Sequence, residues 1–110
     1  MLHQHAELSR GGWQKLSLVE QLGNIGSEVG RAAKWQGKDD ENFKASFVRA
    51  LDLLDLTMQD PRWSKSLKEI ARVRELLCEA VFGDRKKYNT TLEDIDRYFY
   101  QFALAARLKT

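Results

Sequence analysis

Apolar residues return at three- and four-residue steps along four separate stretches of the chain, and no strand-like run of alternating residues is visible. The first stretch, Ser17 to Trp35, places Leu18, Leu22, Ile25, Val29 and Ala32 on one stripe. Ser17 followed by Glu20 is a capping-box pattern, in which each side chain satisfies a backbone N–H of the first turn, so a helix is predicted to begin there. A second stripe beside the apolar one is made of small residues: Gly23, Gly26, Gly30 and Ala33. Each interior glycine costs about 1 kcal/mol relative to alanine. The stripe therefore predicts that another helix backbone crosses close over it. A phosphate-cradling role is disfavoured, because the glycine spacing does not fit GxGxxG, no strand-like run precedes it and no GK[ST] follows.

Three more helices follow. QGKDDEN after Trp35 reads as a glycine C-cap, a short turn and an acid-rich helix start. Phe43, Phe47, Ala50, Leu51, Leu54 and Met58 then keep the helical period, with Leu53 and Leu56 widening the stripe. Its F-x-x-A-L step faintly resembles a tetratricopeptide helix, but no second copy appears at a 34-residue spacing. Asp60-Pro61 reads as a helix restart, aspartate suiting the N-cap and proline the first helical position. The third helix is predicted to run to about Phe82, with Leu67, Ile70, Leu77 and Val81 inward and Gly83 closing it in the left-handed conformation. Thr90 with Glu93 offers a second capping box, and the last helix turns Ile95, Phe99, Phe102, Ala106 and Leu92 inward. Its YFYQF run spreads aromatics over several faces, so Tyr98 and Tyr100 cannot both lie deep in one core.

These elements predict an all-α fold, an antiparallel four-helix bundle with up-down-up-down topology. Residues 1–15 are expected as a loosely ordered lead-in, from which Trp13 can pack back onto the bundle, and residues 16–110 as one helical domain. The chain of 110 residues is long enough to bury a core without a disulfide or a structural metal. A single cysteine rules out an internal disulfide, and Cys78, on an apolar stripe, reads as a small buried hydrophobe. No leader pattern and no long uncharged apolar run is present, which points to the cytoplasm and away from a membrane. A net charge of +2 gives no bulk argument for nucleic acid, so any such role must rest on a local face.

Three polar sets are candidates for chemistry. Asn24, Glu28, Arg31 and Trp35 share one side of the first helix, where Glu28 and Arg31 can pair on a solvated face. Arg49, Asp52 and Asp55 form a stripe on the second helix, and the two aspartates can hold a divalent cation only if a partner helix adds carboxylates. On the third helix Arg62, Lys65, Lys68 and Arg72 line up at three- and four-residue steps, with Arg74 and the basic run Arg85 to Lys87 nearby. That face is the best candidate for contact with phosphate. The two histidines, His3 and His5, lack a third ligand, so neither a metal site nor a cofactor is predicted.

The runs LSLVEQLGNIGSEVGRAAKW, FVRALDLLDLT, LKEIARVRELL and YFYQFALAAR together resemble a family of short, uncharacterised prokaryotic all-helical proteins. More distantly, the size and four-helix pattern are similar to the HEPN superfamily, which includes ribonuclease toxins and non-catalytic partners of small nucleotidyltransferases. Catalytic members carry an R-x4-6-H motif, and here no arginine precedes either histidine. The resemblance therefore implies a non-catalytic member: a binding module that self-associates as a homodimer or pairs with a nucleotidyltransferase-like protein. Its contacts would be Glu28 and Arg31 together with Lys65, Lys68, Arg72 and Arg74. RNA binding through the basic face is the alternative.

Overall fold

A computed structural model describes residues 12–83 and 90–108, without the side chains of 103, 106 and 107. Four α-helices carry the fold: α1 (Leu18–Trp35), α2 (Asp40–Met58), α3 (Leu67–Phe82) and α4 (Leu92–Leu108). Two short 3-10 segments, Trp13–Lys15 and Pro61–Ser66, precede α1 and α3. The described residues contain no strand, and none of their helices is long and apolar enough to cross a membrane.

Local signals account for most helix ends. Ser17 N–H donates to Glu20 Oε1 at 3.0 Å and Glu20 N–H donates to Ser17 Oγ at 3.2 Å, which completes the capping box at the start of α1. The chain leaves α1 through Gly37, whose φ of 76° favours glycine. Asp39 then caps α2 by accepting from Asn42 N–H at 3.1 Å.

Three predicted ends are corrected. The third helix does not run unbroken from Pro61: Trp63, at φ −106° and ψ 22°, interrupts it, so the α-helix proper begins at Leu67. Gly83 closes α3 in an extended conformation, φ −78° and ψ 172°, rather than a left-handed one. The capping box of α4 lies one residue later than predicted. Thr91 N–H donates to Asp94 Oδ2 at 3.1 Å and Asp94 N–H donates to Thr91 Oγ1 at 3.2 Å. Asp94 supplies the carboxylate at the third position of this box, and Leu92, the first residue of α4, is fully buried.

α1 is the axis of the molecule, and α2 and α4 pack closely against it. It contributes Leu22, Ile25, Val29 and Ala32 to a core completed by Phe47, Ala50, Leu53 and Leu54 of α2 and by Leu92, Ile95 and Phe99 of α4. The small-residue stripe explains how close α4 comes. A Cβ added at Gly26 would sit 2.6 Å from Phe99 Cβ, a separation that real Cβ atoms essentially never show. At Gly30 the nearest atom would be Asp96 Oδ1 at 3.0 Å. Gly23 and Gly26 are buried, so this part of the stripe is covered within one chain. α3 makes fewer close backbone approaches than the other helices and joins the core chiefly through Ile70, Leu77 and Ala80. The expected lead-in is docked from Gly12 onward, because Trp13 is wholly buried. Residues 1–11, with His3 and His5, and the loop 84–89, with Arg85 to Lys87, lie outside the described residues.

Candidate functional site

Two polar residues fall within the apolar stripe of α1, and both are buried. Gln21 lies three residues after Leu18 and four before Ile25, and Glu28 stands in the same relation to Ile25 and Ala32. Each organises one end of the core.

Gln21 is the hub of a closed hydrogen-bond network. Its Nε2 donates to the Trp13 carbonyl at 2.9 Å, and its Oε1 accepts from Thr57 Oγ1 and Trp63 Nε1, each at 3.0 Å. Trp13 Nε1 donates in turn to Thr57 Oγ1 at 3.0 Å. Two regions distant in sequence, Trp13 with Gln21 and Thr57 with Trp63, are thereby tied at one point. Beside them the Asp60 side chain, only 2% exposed, accepts from the Arg62 guanidinium at 2.7 Å. That guanidinium also donates to the Leu16 carbonyl at 3.0 Å and lies over the Trp63 ring. Hydrogen bonding to Arg62 holds the Asp60 carboxyl below its ordinary range, against the burial that would raise it, and the Arg62 pKa is raised in turn. No buried side-chain N or O among the described residues lacks a partner. A network with no open valence is a fastening and offers nothing to a ligand.

Glu28 does the same work between α1 and α2. Its carboxylate accepts from Arg31 at 2.7 Å and from Arg49 Nε of α2 at 2.8 Å. The predicted solvated pair is thus a buried, cross-linked carboxylate, since the Glu28 side chain is 10% exposed and that of Arg49 18%. The α2 stripe divides: Arg49 turns to Glu28, Asp55 accepts from Arg74 of α3 at 2.8 Å, and Asp52 stays exposed. No group of three or more His, Cys, Asp or Glu residues able to hold a metal occurs among the described residues.

The basic face is smaller than its sequence. Arg62 is spent on Asp60 and Leu16, and Arg74 on Asp55. Lys65, Lys68 and Arg72 remain exposed, with no ion pair among the described residues. Arg72 lines a groove of about 300 Å³ between α3 and α4, together with the apolar Val73, Leu76 and Ile95 and the carboxylates Glu69 and Asp94. At one end of this groove Tyr98 donates its hydroxyl to Glu69 Oε1 at 3.2 Å. Burial, then the Glu69 charge, pushes the Tyr98 hydroxyl pKa up.

A surface of opposite character lies on the outward side of α4. Tyr100, Leu104 and Leu108, at four-residue steps, are 61%, 43% and 80% exposed, while Leu92, Ile95 and Phe99 of the same helix are buried. Of the two tyrosines, Tyr98 is therefore the half-buried one and Tyr100 the exposed one.

Sequence reasoning did not single out Gln21, Thr57, Trp63 or the role of Arg49. The available signal was a polar residue set at helical period inside an apolar stripe, as with Gln21, Glu28 and Thr57. No protein family, curated protein or solved structure matches this chain.

Proposed function

We propose that this protein is a non-enzymatic helical interaction module, an up-down-up-down bundle that works as a homodimer or as the partner subunit of a nucleotidyltransferase-like protein. The observation that carries this reading is the exposed stripe of Tyr100, Leu104 and Leu108 on α4. Three apolar side chains at helical spacing, pointing away from the core of their own chain, form the kind of surface that helix association covers. The buried polar groups support the same reading, since Gln21, Glu28 and Asp60 are all committed to internal partners. The test is solution mass by size-exclusion chromatography with light scattering, together with capture of partners from native extract. A dimer or a stoichiometric complex that dissociates on Leu104→Glu is the expected result. A monomer without a partner in extract contradicts the proposal.

A second reading, RNA binding, is favoured by Lys65, Lys68 and Arg72, which lie exposed on one face with no ion pair among the described residues. Three phosphate contacts would give a slope of log K against log salt of about −2 for single strands. Mobility-shift titration at low salt tests it, and binding unchanged by Lys68→Ala with Arg72→Ala would sink it.

A further inference from the structure

The seam between α3 and α4 is hollow. The outer groove beside Arg72 adjoins a smaller, partly open inner pocket of about 120 Å³ lined chiefly by Leu18, Leu22, Leu54, Ile70, Val73 and Phe102. Glu69, Val73 and Tyr98 line both spaces, so the hydrogen bond from the Tyr98 hydroxyl to Glu69 stands between them. The two spaces differ in chemistry. Aliphatic and aromatic side chains dominate the inner wall, a lining that suits a small apolar body.

The outer space carries charge, most of it already matched. Asp94 accepts from the Thr91 N–H and from Arg97, and Glu69 accepts from Tyr98. Arg72 is the one charged group of the groove without a partner among the described residues. We propose that this seam binds a small amphipathic acid, a short aliphatic or aromatic body bearing one carboxylate. The head group meets the Arg72 guanidinium at the mouth and the apolar body runs inward past Tyr98. Glu69 lines the inner pocket and Arg72 does not, so a carboxylate carried inward meets a like charge with no guanidinium beside it, which fixes that orientation. The Tyr98–Glu69 hydrogen bond that separates the two spaces joins side chains that both face solvent in part.

Sodium octanoate is the probe, with 1-octanol lacking the anion and acetate lacking the chain. Methyl-detected NMR on the full chain at pH 7 reads the inner wall through Leu22 and Ile70 and the groove through Val73 and Ile95. Saturable octanoate shifts at both sets of methyls are expected. Hexanoate, two methylenes shorter, should bind roughly fifteenfold more weakly, at about fourfold per methylene. Acetate should produce no shift. Arg72→Gln, at an exposed position that leaves folding intact, should weaken octanoate about tenfold and leave octanol unchanged. Val73→Phe, which narrows the passage, should remove the inner-wall shifts, with far-UV circular dichroism confirming its fold. Absence of saturable shifts at these methyls overturns the proposal, as does octanol binding as tightly as octanoate or octanoate affinity indifferent to Arg72→Gln. Occupancy by an acidic apolar peptide with none by octanoate also overturns it.

Discussion

α4 meets two neighbours in two different ways, and the contrast between its seams shows where this small protein is rigid. Toward α1 it lies on a glycine groove, where the Cβ of Phe99 nearly touches the backbone at Gly26. Toward α3 the backbones stay further apart, and side chains such as Tyr98 and Glu69 span the gap. Close backbone approach excludes volume and leaves one solution for the packing. Long side chains across a gap leave cavities and several solutions. The first seam holds the fold together, and the second is where a ligand has room.

Substitutions can break or sharpen this contrast. The largest loss is expected from Phe99→Ala, about 3–5 kcal/mol in urea unfolding, because a wholly buried ring is removed from the tight seam. Leu76→Ala on the half-buried floor of the other seam should cost roughly half as much, since the groove is already open there. Equal losses would abolish the distinction. Next comes Gly26→Leu, expected to lower stability by about 3 kcal/mol, the upper range for overpacking. Gly30→Ala sharpens the point, because its added Cβ meets only the end of the Asp96 side chain. A helix-propensity gain of about 1 kcal/mol should offset the crowding and leave stability near that of the wild type.

Gln21→Leu tests the fastening at the Trp13 end. It strips partners from Thr57, Trp63 and the Trp13 carbonyl, and about 1–3 kcal/mol should be lost. Tryptophan emission, shifting red as Trp13 gains water, follows the same change. The smallest effect is expected from Tyr98→Phe, no more than about 1 kcal/mol, since its hydrogen bond to Glu69 is exposed. A loss as large as that of Phe99→Ala would mean that the α3–α4 seam is as rigid as its neighbour.

The pH dependence of unfolding has two signs. Asp60, held down chiefly by Arg62, and Asp94, held down by the Thr91 backbone N–H and hydroxyl, both titrate below their ordinary values. Their stabilisation is complete above the unfolded-state carboxylate pKa and is lost as pH falls through their lower folded values, so acid unfolding should steepen below about pH 4. Asp60→Asn should flatten that limb. Asp96, in the tight seam, is shifted upward by burial and by Glu93, with Arg97 opposing. Its folded form holds the proton longer than the unfolded chain does, so its contribution favours folding at low pH. That contribution is lost as pH rises from the unfolded pKa through the folded one. Asp96→Asn should remove this falling component just above pH 4.

The chain by itself determined the number and place of the helices, and the physical reason is locality. Ser17 with Glu20, Asp39 and Asp60-Pro61 act within three residues of themselves, and the period of Leu22, Ile25 and Val29 fixes one face without reference to any partner. The glycine stripe likewise announced a close crossing, because its helix-propensity cost needs an offsetting contact. Ends that depend on a choice between adjacent residues or on a distant partner escaped it: Thr91 rather than Thr90 caps the last helix beside the buried Leu92, and Trp63, where the third helix is interrupted, donates to Gln21. The tertiary structure alone decided the polar pairings. Arg31 and Arg49 share Glu28, Arg74 leaves the basic face for Asp55, and Arg72 has no ion pair among the described residues. All four carry the same charge in sequence. What separates them is the rotation and spacing of whole helices, a quantity that belongs to the packed core and to no local run of residues.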